Sequence, residues 1–107
     1  MGVSYEAIEN STLLVSISFT DSLGNTFNQD TSEWQLTKVD GTVINNRTFA
    51  NGSFTGTRIV LSGDDLALDS SGDIERILTI RGTYTASYGS NLPFYMEKRF
   101  WIKNNIN

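Results

Sequence analysis

Residues 62–73, Ser-Gly-Asp-Asp-Leu-Ala-Leu-Asp-Ser-Ser-Gly-Asp, carry four of the chain's twelve acidic residues. Carboxylates at that density are what a calcium loop needs. Calcium takes six to eight oxygens, and the EF-hand supplies them from loop positions 1, 3, 5, 7, 9 and 12 with a glycine at 6. A loop begun at Asp65 puts Ala67 at position 3 and Ser70 where the glycine belongs; one begun at Asp69 puts Ile74 there. Neither register is a calcium site. The residues are better accounted for as a corner: Ser62 or Asp64 caps one helical turn over residues 64–68, Leu66 and Leu68 point inward, and Asp-Ser-Ser-Gly redirects the chain.

Other chemistry finds little to stand on. The 107 residues include no cysteine and no histidine. That removes disulfides, a cysteine-based zinc site, thiol catalysis and the Ser-His relay, and with histidine goes the usual general base near neutral pH. No carboxylate pair sits in a glycosidase motif. The sequons at Asn10, Asn46 and Asn51 carry weight only behind a secretory signal, and the opening Met-Gly-Val-Ser-Tyr-Glu-Ala-Ile-Glu-Asn, with two acids and no base, does not read as one. A net charge of −4 opposes sequence-independent nucleic-acid binding, which relies on clustered Lys and Arg. The longest apolar run, Leu13-Leu14-Val15, is far short of the ~20 residues of a membrane-spanning helix. No cofactor or metal is implied, and the expected partners are proteins.

The elements that must position any surface are strands. Leu13, Val15, Ile17 and Phe19 alternate with Leu14, Ser16 and Ser18, the pattern of a half-buried strand. Residues 33–49 read as a hairpin in which Trp34 and Leu36 share a face, Asp40-Gly41 forms a two-residue type I′ turn, and Thr42–Phe49 returns. Thr57–Ser62 is β-branched. Residues 74–85 alternate with Ile74, Arg76, Leu78, Ile80 and Tyr84 in one register. The last strand, 94–103, follows the only proline, Pro93, which stands at a strand edge where a missing N–H costs least. It directs Phe94, Met96, Phe100 and Ile102 to one side and Tyr95, Glu97, Arg99, Trp101 and Lys103 to the other. A further strand is expected over 3–8. Turn signals every 8–12 residues predict an all-β fold, an Ig-like antiparallel β-sandwich of about seven strands forming a single domain over 1–107, with a small barrel as its competitor. The core is expected to include Val15, Ile17, Trp34, Leu36, Leu78, Ile80, Phe100 and Ile102. Aromatic rings presented away from a core serve as interface anchors. The candidate partner-binding residues are therefore Tyr95, Arg99, Trp101 and Lys103, joined by Tyr88.

Residues 33–103 resemble small proteins encoded among the structural genes of tailed bacteriophages. The resemblance rests on a Trp-containing strand (Trp34), a D-G turn followed by Val-Ile-Asn (Asp40, Gly41, Val43, Ile44, Asn45), a Leu-Ser-Gly-x-Asp-Leu corner (Ser62, Gly63, Asp65, Leu66), and a Gly-Thr-Tyr strand (Gly82, Thr83, Tyr84). An Asn-Leu-Pro turn (Asn91, Leu92, Pro93) then leads to a closing aromatic strand with Phe100. It implies a virion structural protein with an Ig-like fold, located on the capsid, at the head–tail junction or on the tail. Its partners would be other virion subunits, and homo-oligomerisation is compatible with it. The corner residues would then be structural, with Gly63 taking a backbone conformation closed to most side chains. The alternative function is a free-standing adhesion or carbohydrate-binding module stacking sugars on Tyr88, Tyr95 and Trp101.

Overall fold

The computed structural model describes residues 5–21, 23–68 and 74–103, and it is all-β. Among the described residues, six strands, β1 (Tyr5–Ile8), β2 (Thr12–Ser16), β3 (Gln29–Thr37), β4 (Arg58–Ser62), β5 (Glu75–Ala86) and β6 (Gly89–Lys103), are joined by loops holding two 3-10 turns, Phe49–Asn51 and Gly63–Leu66. They form a four-stranded sheet in the order β1-β6-β5-β3 and a two-stranded sheet β2-β4, packed as a sandwich around one core. Val15, Ile59 and Leu61 from the small sheet meet Trp34, Leu36, Leu78, Ile80, Phe100 and Ile102 from the large one, with Ile17, Phe19, Leu66 and Ala7 closing the ends. Full burial of such side chains contributes roughly 1.5–3 kcal/mol each. All eight expected core residues are buried.

In immunoglobulin terms β2 and β4 pair as strands B and E do, and β3, β5 and β6 as C, F and G. β1 runs parallel to β6, Tyr5 opposite Phe100 and Ile8 opposite Lys103. This short strand answers the expectation over 3–8 and is the one parallel pairing among the described residues. Pairing with β1 covers only Phe100–Lys103, so Pro93 lies on a stretch of β6 paired on one side, to Thr83 of β5.

The hairpin after β3 differs from expectation in two ways. Its loop has three residues, not two: the Lys38 N–H donates to the Thr42 carbonyl at 2.9 Å and the Gly41 N–H to the Lys38 carbonyl at 3.0 Å. Gly41 alone in this loop takes positive φ, +95°. That is a type I turn closed by a left-handed glycine rather than a type I′ turn. The returning segment makes no strand beyond the Thr37–Val43 bridge. Asn45 and Asn46, with φ of 51° and 56°, turn the chain left-handed twice in succession, which Asn tolerates and a strand does not. The ladder breaks around them, although the Leu36 N–H still reaches the Arg47 carbonyl. Strand limits also move: β3 begins before Glu33, β6 before Phe94, and β2 stops at Ser16. Ile74 precedes β5 and is 45 % exposed.

At the acidic corner one carboxylate, Asp65, is engaged by the fold itself. Its 3-10 turn starts one residue before the expected 64–68 segment, on Gly63 at φ +57°, with Ser62 as N-cap. Asp65 is fully buried and accepts the Ser62 N–H at 3.1 Å, the return arm of a capping box. Asp69 and Asp73 lie outside the described residues.

Candidate protein-contact face

One face of the large sheet packs on the core and the other looks outward. Period-two geometry sends Glu75, Ile77, Thr79, Arg81 and Thr83 of β5 to the outer face, in line with Tyr95, Glu97, Arg99 and Trp101 of β6. Register across three strands produces rows: Glu33–Arg81–Tyr95, Gln35–Thr79–Glu97 and Thr37–Ile77–Arg99. Cross-strand neighbours in such rows interact directly.

Tyr95 is the most prominent feature, 65 % exposed, with its hydroxyl donating to Glu97 Oε2 at 3.2 Å. Beside it, Arg81 Nε donates to Glu33 Oε1 at 2.6 Å, and the Arg81 guanidinium lies 3.7 Å above the Phe49 ring centroid. Held by this ion pair and the ring, Arg81 stands next to the tyrosine. A shallow groove of about 420 Å3 runs between them, floored by Gly82 and Thr83 and bordered by Pro93. Nothing in the local sequence marks Arg81 or Glu33; the outward parity of β5 is the signal that places Arg81 beside Tyr95.

The other expected contact residues distribute unevenly. Arg99 and Lys103 are exposed on the same face. Arg99 Nη1 donates to Glu75 Oε2 at 3.0 Å, so its charge is already partnered within the sheet. Trp101 sits between Glu75 of β5 and Glu6 of β1 in register and is half-buried. Ile77 and Thr79, also outward by parity, are buried by their neighbours in the centre of the sheet. This face therefore has a covered centre, and its free apolar surface concentrates at Tyr95.

Tyr88 does not join it. It lies in the tight turn between β5 and β6, and the strand from Gly89 to Tyr95 alone spans about 20 Å at ~3.4 Å per residue. There it packs edge-on to Tyr84, ring centroids 6.4 Å apart, in a cluster continuing through Phe27, Phe94 and Phe19.

No family model, curated protein or solved structure matches this chain.

Proposed function

We propose that the chain is a non-enzymatic structural component of a tailed-bacteriophage virion, a capsid-decoration, head–tail or tail-associated protein, held in place by protein–protein contacts through the outer face around Tyr95. The resemblance of residues 33–103 to small phage structural proteins supports the setting. The observation that carries the contact mode is Tyr95 itself: a large ring, 65 % exposed, beside an arginine already clamped by Glu33 and Phe49. Tyrosine and arginine are the residue types over-represented among interface hot spots, and side chains fixed before binding lose little entropy on docking.

Attachment to a particle asks little chemistry of such a domain. It needs a stable platform and a surface matching repeated subunits. Gradient-purified particles of the source phage should contain the chain at a fixed copy number and lose it together with the subunit it binds. Particles that lack the chain, while it accumulates free in the lysate, would overturn the reading.

A further inference from the structure

The loop between β2 and β3 and the turn between β5 and β6 meet at one end of the sandwich, the end at which variable immunoglobulin domains place their B–C and F–G binding loops. Between them lies a cleft of about 470 Å3, lined by Asp21, Asn25, Asn28, Asp30, Thr85 and Tyr88 among others. That volume falls within the range of small-molecule sites.

The cleft is held in shape by its own hydrogen bonds. Asp21 Oδ1 accepts the N–H groups of Leu23 at 3.0 Å and Asn25 at 2.9 Å, which closes the loop. The Tyr88 hydroxyl donates to Asp21 Oδ2 at 2.9 Å and lies 3.0 Å from the Tyr84 hydroxyl. Because its one proton goes to Asp21, Tyr88 accepts the proton of Tyr84. Tyr84 in turn stacks on Phe27, with centroids 3.9 Å apart and planes 20° apart. Thr85 Oγ1 donates to Asp30 Oδ2 at 2.7 Å, a second bond between the two segments. The polar end of Tyr88 is therefore committed to the protein, while the residue is still 53 % exposed. What it presents to the cleft is a fixed apolar ring.

The lining also selects among ligands. It contains two carboxylates and no basic residue, which disfavours phosphates, sulfates and acidic sugars. An ammonium or guanidinium group would suit the carboxylates and the ring, but it is donor-only and leaves the Asn25 and Asn28 amides without acceptors. A hydroxyl both donates and accepts, so a ring of adjacent hydroxyls can serve Asp30, Asn25 and Asn28 together while its C–H face lies on Tyr88. We propose that this cleft is a binding site for a neutral saccharide, with Tyr88 as the stacking platform and Asn25, Asn28 and Asp30 as the hydrogen-bonding rim. The site is separate from the Tyr95 face and does not depend on the virion assignment.

The test is a titration of the isotope-labelled chain, followed by backbone amide shifts. The probes are methyl glycosides of glucose, galactose, mannose and N-acetylglucosamine, with arginine methyl ester and N-acetylneuraminic acid as cationic and acidic arms. At least one neutral glycoside should give saturable shifts confined to the 21–30 loop and residues 85–88. Tyr88→Ala should weaken it about tenfold or more, equivalent to ~1.4 kcal/mol, and Tyr88→Phe, which keeps the ring but loses the bonds to Asp21 and Tyr84, should weaken it less than Tyr88→Ala does. Asn28→Ala, on an exposed loop, supplies a second variant should Tyr88→Ala disturb the turn. Shifts with the arginine ester or the acidic sugar alone would overturn the proposal. So would no response to any neutral glycoside, or affinity unchanged by both Tyr88→Ala and Asn28→Ala.

Discussion

Arg47 grips Asp65 with two parallel hydrogen bonds, Nε to Oδ1 at 2.7 Å and Nη2 to Oδ2 at 2.9 Å. Asn45 Nδ2 adds a third at 2.8 Å, and the Arg47 guanidinium lies 5.2 Å from the Trp34 ring centroid. This network ties the irregular segment after β3 to the corner after β4. The segment has little ladder pairing of its own, so the buried carboxylate does the work of a strand. Asp65 is fully buried but the Arg47 side chain is 35 % exposed, so solvent screens part of the pair, and leaving the buried carboxylate without this partner costs about 1–3 kcal/mol. Arg47→Met should approach that loss in urea unfolding, reduced where Asn45 and the Ser62 N–H still hold the carboxylate. A loss below about 0.5 kcal/mol, typical of an ordinary surface change, would mean the pair does not hold the corner.

The same carboxylate sets a pH dependence. Burial alone would push Asp65 up from its ordinary value of 3.8, but the hydrogen bonds from Arg47, Asn45 and the Ser62 N–H outweigh it and hold the group below that value. A folded pKa below the unfolded one contributes stability above the unfolded pKa and loses it as pH falls through the folded one. Asp21 and Asp40, held low chiefly by the Asn25 and Thr42 N–H groups, act in the same direction. Unfolding free energy should therefore fall on acidification below the ordinary carboxylate range. Asp65→Asn should be less stable near neutrality and should show a shallower acid limb. An acid limb as steep as that of the unaltered chain would remove Asp65 from the account.

Gly82 makes a separate prediction. It pairs with Phe94, whose ring lies against it. An added Cβ would run into the Thr31 carbonyl oxygen and come within 2.8 Å of Phe94 Cε2. The carbonyl is backbone and cannot swing aside, so Gly82→Ala should cost about 1–3 kcal/mol, the usual penalty of overpacking. Gly56, where a Cβ meets nothing but φ is +87°, separates the two effects: Gly56→Ala carries only the backbone penalty. Equal melting temperatures for Gly82→Ala and the unaltered chain would contradict the packing.

Much of this architecture is legible in the chain, for a definite reason. Val15, Ile17 and Phe19 alternate with Ser16 and Ser18 because one face there is buried, and period-two alternation is what such burial writes into a sequence. Leu78 and Ile80, and Phe100 and Ile102, keep the same spacing around the covered Thr79 and the half-buried Trp101. The return of the β3 hairpin misleads, because Val43-Ile44 looks like strand while Asn45-Asn46 supplies two left-handed residues that interrupt the ladder. Asp65 misleads in another way. Its partner Arg47 is 18 residues distant, and nothing local distinguishes a buried carboxylate from its solvated neighbour Asp64. The contact face is half legible: strand parity finds Tyr95, Arg99 and Lys103, but only the fold reveals that Glu75 already occupies Arg99, that Trp101 is half-covered, and that Tyr88 belongs to the far end.

The central claim, that the chain attaches through the face around Tyr95, is tested most directly by particle binding of a single variant. Tyr95→Ser removes the exposed ring and its bond to Glu97 and leaves the buried core untouched. The double replacement with Trp101→Ser extends the test along the face. Co-sedimentation of purified chain with particles stripped of it should show saturable binding for the unaltered protein. It should fall about tenfold or more for Tyr95→Ser, with an unchanged melting temperature, as expected of an anchor worth ~2 kcal/mol. Equal binding by Tyr95→Ser and by the double variant, both folded, would show that this face is not the one that attaches.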